Sequence, residues 1–166
     1  MKLPQGFSPE ERSEKAQALF KQGFNCTQSV ILAFADVLES SGLADEKLLK
    51  TIGSGFGGGM GRLREVCGAF SGCTMMAGFI SPADVPADME ARKTNYAIVQ
   101  EFAAKFKAAN GGSIVCRELL GLEKSAKREA PMPSQRTAEY YKKRPCGQII
   151  GEAARIVAEK LIEINK

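Results

Sequence analysis

Four widely spaced cysteines are the residues of this chain best suited to chemistry. No two of them form C-x-x-C, so their spacing matches neither a zinc ribbon nor a thioredoxin-like active site. A site that used them together would have to be assembled from separate helices. Thiolates can hold zinc or an iron–sulfur cluster, or cycle in pairs between dithiol and disulfide. The candidate catalytic and metal-ligating residues are Cys26, Cys67, Cys116 and Cys146.

The chain contains no histidine and no tryptophan, which narrows the chemistry further. Ser-His-Asp and Cys-His catalysis, imidazole metal sites and histidine proton shuttles cannot be built from this chain alone. If the chain is an enzyme, a thiol-dependent or metal-dependent oxidoreductase fits best. Four cysteines allow three disulfide pairings, and the sequence selects none of them.

Three of the four cysteines are predicted to lie in the first turn of a helix, because each closely follows a residue typical of a helix start. Free N–H groups and the positive end of the helix dipole stabilise a thiolate there. We therefore expect three activated thiols. They are Cys26 after Asn25, Cys116 after Ser113, and Cys146 after Pro145.

The fourth of these cysteines, Cys67, and the chain's fifth cysteine, Cys73, are predicted to lie inside one central helix, over residues 62–80. Gly68 beside Cys67 would leave one side of that sulfur open. Cys73 follows Cys67 by six residues, about 240° around a helix, so the two should not share a face. We interpret Cys73 as a packing residue.

Apolar residues recur at helical spacing along most of the chain, and no convincing strand appears, so the sequence predicts an all-α fold. We expect a single domain over residues 1–166, a bundle of about six to seven helices. Residues 122–135 are predicted to form a loop. The helices are predicted over about 9–22, 25–40, 45–52, 62–80, 87–109, 113–121 and 146–164, with a further turn near 137–144.

A glycine-rich segment, residues 53–61, precedes the predicted central helix. It literally contains G-x-G-x-x-G, but it follows a helix instead of a strand, so nucleotide binding is disfavoured. Its glycine density predicts no regular element. We expect a loop that brings backbone N–H groups to the cysteine site. The candidates for cofactor contact are Gly57, Gly58, Gly59, Arg62 and Gly68.

The composition is that of a globular domain, with 44% hydrophobic and 25% charged residues. The sequence shows no secretory signal and no apolar segment long enough to span a membrane, so a cytoplasmic location is expected. Thiols are kept reduced there, which favours metal or redox chemistry over structural disulfides. Residues 121–145 carry seven basic side chains against three acidic ones. We interpret this stretch as solvated surface, with no nucleic-acid motif.

The residues also carry a family resemblance over about residues 15–160. The chain resembles the family named for the cysteine pattern C_GCAxxG_C_C, which is described as redox-active. The resemblance implies that Cys26, Cys67, Cys116 and Cys146 are the four motif cysteines, completed by Gly68, Ala69 and Gly72. It also implies a bound metal or iron–sulfur group, and names no substrate. The segments that carry it are GFNCTQSVILAF, SGFGGGMGRLREVCGAFSG, CRELLG and RPCGQIIGEAA.

Two functional hypotheses follow from the sequence. In the first, the four cysteines form one redox or metal-binding site, with iron–sulfur or zinc as the expected group. In the second, the helices enclose a small-molecule or partner site that the cysteines merely line. The redox partner or small molecule is not identified. The small residues of the predicted central helix also suggest a homodimer.

Overall fold

The computed structural model of the chain describes residues 1–122 and 129–166. The predicted all-α class is confirmed, since these residues form no strand beyond an isolated antiparallel bridge between Val66 and Val115. That residues 1–166 form one domain stays a prediction. The helical segments are α1 (Pro9–Lys21), α2 (Cys26–Leu32), α3 (Ala35–Ser40), α4 (Glu46–Gly53), a 3₁₀ turn (Ser54–Phe56), α5 (Gly57–Met60), α6 (Gly68–Ile80), α7 (Met89–Ala109), α8 (Cys116–Leu119), α9 (Ala138–Lys143) and α10 (Cys146–Ile164).

The helix predicted over residues 25–40 is divided into α2 and α3. Its start is as predicted, with the Asn25 side chain accepting a hydrogen bond from the backbone N–H of Gln28. The Ala33 carbonyl leaves the helical ladder and accepts a hydrogen bond of 2.6 Å from Arg12, which also pairs with Asp36. Both segments bury apolar residues, so periodicity alone did not reveal the break. The fold is therefore divided more finely than the six to seven helices predicted.

The central helix begins at Gly68, six residues later than predicted. Arg62 and Arg64 adopt left-handed backbone conformations with φ of 69° and 59°, which cannot continue into the regular right-handed helix α6. The prediction that Cys67 lies inside the helix is therefore wrong, because Cys67 occupies the N-cap position of α6.

The glycine-rich segment also differs from the prediction. It contains the 3₁₀ turn and the short α5, where Gly58 and Gly59 have left-handed φ of 67° and 72°. The segment is thus a series of tight turns with a defined backbone conformation. Residues 123–128 of the predicted loop over residues 122–135 lie outside the described residues. Three basic side chains of the 121–145 stretch lie there too: Lys124, Lys127 and Arg128.

The small residues of α6 pack against α2. A Cβ atom at Gly72 would lie 2.7 Å from Val30 Cβ, and the Thr27 hydroxyl donates a 2.7 Å hydrogen bond to the Gly68 carbonyl. Because this face is used within the chain, it no longer argues for a second subunit. The homodimer stays a prediction.

The start of α10 is held beside α1. Gly151 lets the two helices approach closely, since a Cβ atom there would lie 2.7 Å from Ser13 Oγ. The apolar face of α10 is buried with α6 and α7 in one core, as the sequence predicted for residues 146–164. None of the helices in residues 1–122 and 129–166 has the length and apolar character needed to cross a bilayer.

Candidate functional site

All four motif cysteines lie at the N-terminal boundary of a helix. Cys26, Cys116 and Cys146 are the first residues of α2, α8 and α10, as predicted for a first helical turn, and Cys67 precedes α6 by one residue. Helices from four distant parts of the sequence thus present their starts to one region. The predicted convergence of the four cysteines has this structural basis.

The four motif cysteines line one small cavity, which we call the cysteine cavity. About 20 Å³ is open to the centres of water-sized spheres, enough for a water molecule or an ion and too little for an organic ligand. All five cysteines of the chain are free thiols. The remaining lining is mostly apolar, and the full set is Cys26, Cys67, Gly68, Ala69, Cys116, Leu119, Leu120, Cys146, Ile149 and Ile150.

Backbone pairing between two distant segments positions Cys67 and Cys116. The Cys67 N–H donates to the Ile114 carbonyl at 2.8 Å, and the Cys116 N–H donates to the Glu65 carbonyl at 2.6 Å. This pairing includes the Val66–Val115 bridge. Since each cysteine backbone is fixed by the other's segment, the starts of α6 and α8 are held in register.

Two glycines allow the backbones to approach the cysteines closely. A Cβ atom at Gly68 would lie 3.0 Å from Cys26 Cβ, and one at Gly59 would lie 2.7 Å from Cys116 Cβ. Gly59 also requires a left-handed conformation, with φ of 72°. The glycine-rich segment therefore lies directly against Cys116, as the sequence analysis expected in general terms.

Cys26 and Cys146 line the same cavity, and their thiols act on one another. The Cys26 thiol lowers the pKa of Cys146, while Cys146, together with burial, raises the pKa of Cys26. The backbone N–H of Gly58 acts to lower the pKa of Cys26. Both cysteines are half-buried, whereas the other three are buried. This pair is therefore the accessible part of the cysteine cavity.

Burial dominates at the two other motif cysteines. It raises the pKa of Cys67 to about 12, and it raises the pKa of Cys116 despite a hydrogen bond from Arg64. The prediction of three activated thiols is thus wrong for Cys26 and Cys116 and right in direction for Cys146. A helix start stabilises an anion by about 0.3–2 kcal/mol. Desolvation can raise the pKa of a buried thiol by several units, each of about 1.4 kcal/mol, so burial outweighs the helix start.

Cys73 is separate from this group. It is fully buried in α6, donates a hydrogen bond to the Ala153 carbonyl at 3.5 Å and does not line the cysteine cavity. Burial raises the pKa of its thiol. The interpretation of Cys73 as a packing residue agrees with this placement.

Arg64 lies beside the Cys116 sulfur, with Nη1 at 3.9 Å. Its other nitrogens form a two-pronged pair with Glu129, at 2.7 Å each, and Arg62 reaches the same carboxylate at 2.8 Å. The hydrogen bonds from Arg64 lower the pKa of Glu129 and raise that of Arg64. One carboxylate thus offsets part of the charge of two arginines.

An open groove of about 480 Å³ adjoins the cysteine cavity and shares three of its cysteines, Cys26, Cys116 and Cys146. We call it the arginine groove. Of the predicted cofactor contacts, Gly57, Gly58 and Arg62 line this groove, Gly68 lines the cysteine cavity, and Gly59 packs against Cys116. Their role in binding stays a prediction. The groove's arginines are Arg62, Arg64, Arg136 and Arg144.

The groove also contains Arg136 and Arg144, neither of which was predicted from the sequence to line a binding site. Both are half-buried and lie over aromatic rings, with Arg136 4.4 Å from the Phe20 ring centre and Arg144 5.0 Å from that of Tyr140. The interpretation of the basic stretch as solvated surface is therefore wrong for these two. Two features of the sequence could have indicated their place in the groove: both lie within ten residues of Cys146, and two tyrosines lie between them.

The four sulfurs have the right chemistry for a soft metal ion, since thiolates bind zinc and iron–sulfur clusters. The geometry does not fit one. Within residues 1–122 and 129–166, no group of three or more cysteine or acidic side chains is placed to share a metal ion. The sulfurs would have to draw closer together to bind zinc, whose bonds to sulfur are about 2.3 Å long.

Comparison with known proteins identifies the family. A family model described as "Putative redox-active protein (C_GCAxxG_C_C)" matches residues 24–160, most of the chain and all four motif cysteines. No curated protein and no solved structure gives a significant match. On the strength of this match and the convergence of its cysteines, the chain belongs to the C_GCAxxG_C_C family.

Proposed function

We propose that the chain is a thiol redox protein in which Cys26 and Cys146 cycle between a dithiol and a disulfide. The observation that carries the proposal is that these two cysteines, the half-buried ones, line both the cysteine cavity and the arginine groove. The description of the family as redox-active supports it.

Oxidation would join the two sulfurs and release two protons and two electrons. Cys146 supplies the nucleophile, because its thiolate is stabilised by the Cys26 thiol. Cys26 then acts as the resolving thiol, since it lines the same cavity and the same groove as Cys146. Cys67 and Cys116, which are buried, would stay reduced.

The test is mild oxidation of the folded protein, followed by alkylation of the remaining thiols and peptide mapping. We expect one reversible disulfide joining the peptides of Cys26 and Cys146, lost in either serine variant. Cys73→Ala is the matched control, because it removes a thiol outside the cavity and should leave the disulfide unchanged. A folded protein whose thiols resist mild oxidation, or which pairs other cysteines, would refute the proposal.

A bound iron–sulfur cluster or zinc ion is the second candidate, favoured by four sulfurs around a single cavity. It requires the sulfurs to move closer than they stand. Metal analysis of protein purified without oxygen decides it: near-stoichiometric iron or zinc, lost in Cys67→Ser as well as Cys26→Ser, would support this candidate. If Cys26 and Cys146 act as a redox pair without a metal, their disulfide should still form in Cys67→Ser.

The binding module considered from the sequence makes a different prediction. There the cysteines only line a pocket, so a ligand of the arginine groove would bind equally well to the doubly substituted Cys26→Ser, Cys146→Ser protein. Loss of ligand binding in the doubly substituted protein would count against the binding module.

A further inference from the structure

The arginine groove has a strongly one-sided charge. Among the described residues its lining includes four arginines and no carboxylate. Glu129, which pairs with Arg62 and Arg64, offsets the charge at one end. Among the described residues Arg136 and Arg144 have no carboxylate partner, so the positive excess lies at their end of the groove.

The aromatic rings hold these two guanidinium groups in place without neutralising them. Arg136 contacts the faces of Phe20 and Tyr140, and Tyr140 also lies against Arg144. The Arg136 Nη1 atom is buried and has no hydrogen-bond partner within residues 1–122 and 129–166. A buried cationic N–H without an acceptor is costly, and an anion seated in the groove would supply the acceptor.

The same two charges act on the thiol pair. Arg136 and Arg144 line the same groove as Cys26 and Cys146. In agreement with this placement, the Arg136 charge acts to lower the pKa of Cys26 and the Arg144 charge acts to lower that of Cys146, each against larger effects. An anionic molecule held by these arginines would therefore have its neighbouring atoms over Cys26 and Cys146.

The size and apolar lining of the groove indicate what kind of anion fits. A volume of about 480 Å³ suits a small organic molecule and far exceeds what an inorganic oxyanion or a peroxide needs. Leu120, Pro131, Pro133 and the Tyr140 ring provide apolar surface for a carbon chain. The reacting groups beneath it are sulfurs.

We infer that the arginine groove binds a low-molecular-weight anionic disulfide, which is the oxidant of the Cys26–Cys146 pair; this rests on the proposed function. The Cys146 thiolate attacks one substrate sulfur, forms a mixed disulfide and releases the other half as a thiolate. Cys26 loses its proton and attacks the Cys146 sulfur, which releases the second half. In sum, one disulfide and two protein thiols yield the Cys26–Cys146 disulfide and two small thiols.

The experiment compares three disulfides that differ in charge: the dianion 3,3′-dithiodipropionate, the neutral bis(2-hydroxyethyl) disulfide and the dication cystamine. The rate of Cys26–Cys146 oxidation is measured for each on fully reduced protein. Each rate constant is divided by that of the same disulfide with dithiothreitol, which removes differences in intrinsic reactivity. We expect the dianion to exceed the dication by roughly tenfold at low ionic strength, with the gap closing as salt is added.

Variants locate the effect. Arg144→Gln and Arg136→Gln should each reduce the preference for the dianion by about threefold. Lys142→Gln is the matched control, because it removes the same charge from an exposed residue of α9 that does not line the groove. Arg144→Gln keeps the test valid if loss of the Arg136 stacking impairs folding.

The outcomes separate the two proposals. Equal normalised rates for the three disulfides, or the same loss in Lys142→Gln as in the arginine variants, would overturn the anionic substrate and leave the thiol pair standing. No oxidation of the pair by any of the disulfides would refute the proposed function itself.

Discussion

Replacing Gly59 by alanine tests the close packing against Cys116. The new Cβ atom would lie 2.7 Å from Cys116 Cβ, 2.8 Å from Glu65 N and 2.9 Å from Arg64 Cα, and two of these are backbone atoms that cannot rotate away. The left-handed φ of 72° costs alanine about 1 kcal/mol, and forced displacement of packed groups adds about 1–3 kcal/mol. We expect a total loss of about 2–4 kcal/mol in the free energy of unfolding.

Gly61→Ala is the matched control. Gly61 has nearly the same backbone conformation, with φ of 61°, but the nearest atom to its new Cβ would be Gly55 O at 3.8 Å. It should therefore lose only the conformational part, about 1 kcal/mol. The assay is urea unfolding of the two variants and the parent under reducing conditions, followed by circular dichroism, with comparison at unchanged denaturant slope.

The difference between the two variants isolates the close contacts with Cys116, Glu65 and Arg64 from the cost of the backbone conformation. A second reading comes from the alkylation rate of Cys116 in the folded state, which should rise in Gly59→Ala as the turn is displaced and stay unchanged in Gly61→Ala. Equal losses of stability in both variants would show that backbone conformation alone accounts for the effect, and the reasoning from close packing would be refuted.

Three other measurements test the structure. Although burial acts to raise the pKa of Asp36, hydrogen bonds from Arg12 and Lys15 hold it at about 2 against an ordinary 3.8; its contribution is complete above pH 3.8 and should be lost as the pH falls towards 2. We expect a loss of about 1 kcal/mol in the free energy of unfolding over that interval, after discounting for the 40% exposure of Asp36; Asp36→Asn should lack this loss, and an equal loss in both proteins would contradict the assignment. Thr27→Val removes a buried hydrogen bond to α6 and should cost about 1–3 kcal/mol by thermal unfolding, whereas Thr74→Val, on the exposed side of α6, should cost under about 0.5 kcal/mol. Iodoacetamide should alkylate Cys146 first, with a pH dependence centred below the ordinary thiol pKa; faster reaction at a buried cysteine would contradict the structure.

The helices that the sequence predicted best are those set by local pattern. The periodic apolar residues and turn residues around α7 and α10 predicted helices at 87–109 and 146–164, and the structure has Met89–Ala109 and Cys146–Ile164. The start of α10 was predicted from Pro145, and this placed Cys146 correctly. Local chemistry sufficed at these places because the signals lie within a few residues of the boundaries.

Features that depend on distant residues could not be predicted in the same way. Cys67 lies outside α6 because its segment pairs with residues 114–117, and nothing near Cys67 indicates that pairing. The pKa of Cys116 follows from burial by the tertiary fold instead of from its helix start. Arg136 lies over the ring of Phe20, more than a hundred residues away along the chain. A count of charges along the sequence could not predict that it lines a groove.

The thiols of Cys26 and Cys146 line one small cavity but lie about 120 residues apart along the chain. Under the proposed function, a disulfide between them would close a loop that includes most of the protein. By loop-closure entropy such a bond disfavours the unfolded chain by about 5 kcal/mol, comparable to the entire stability of many domains. The redox state of the pair would then set how tightly the bundle is held: oxidised protein would resist heat and proteases, and reduction would leave the fold dependent on its core alone.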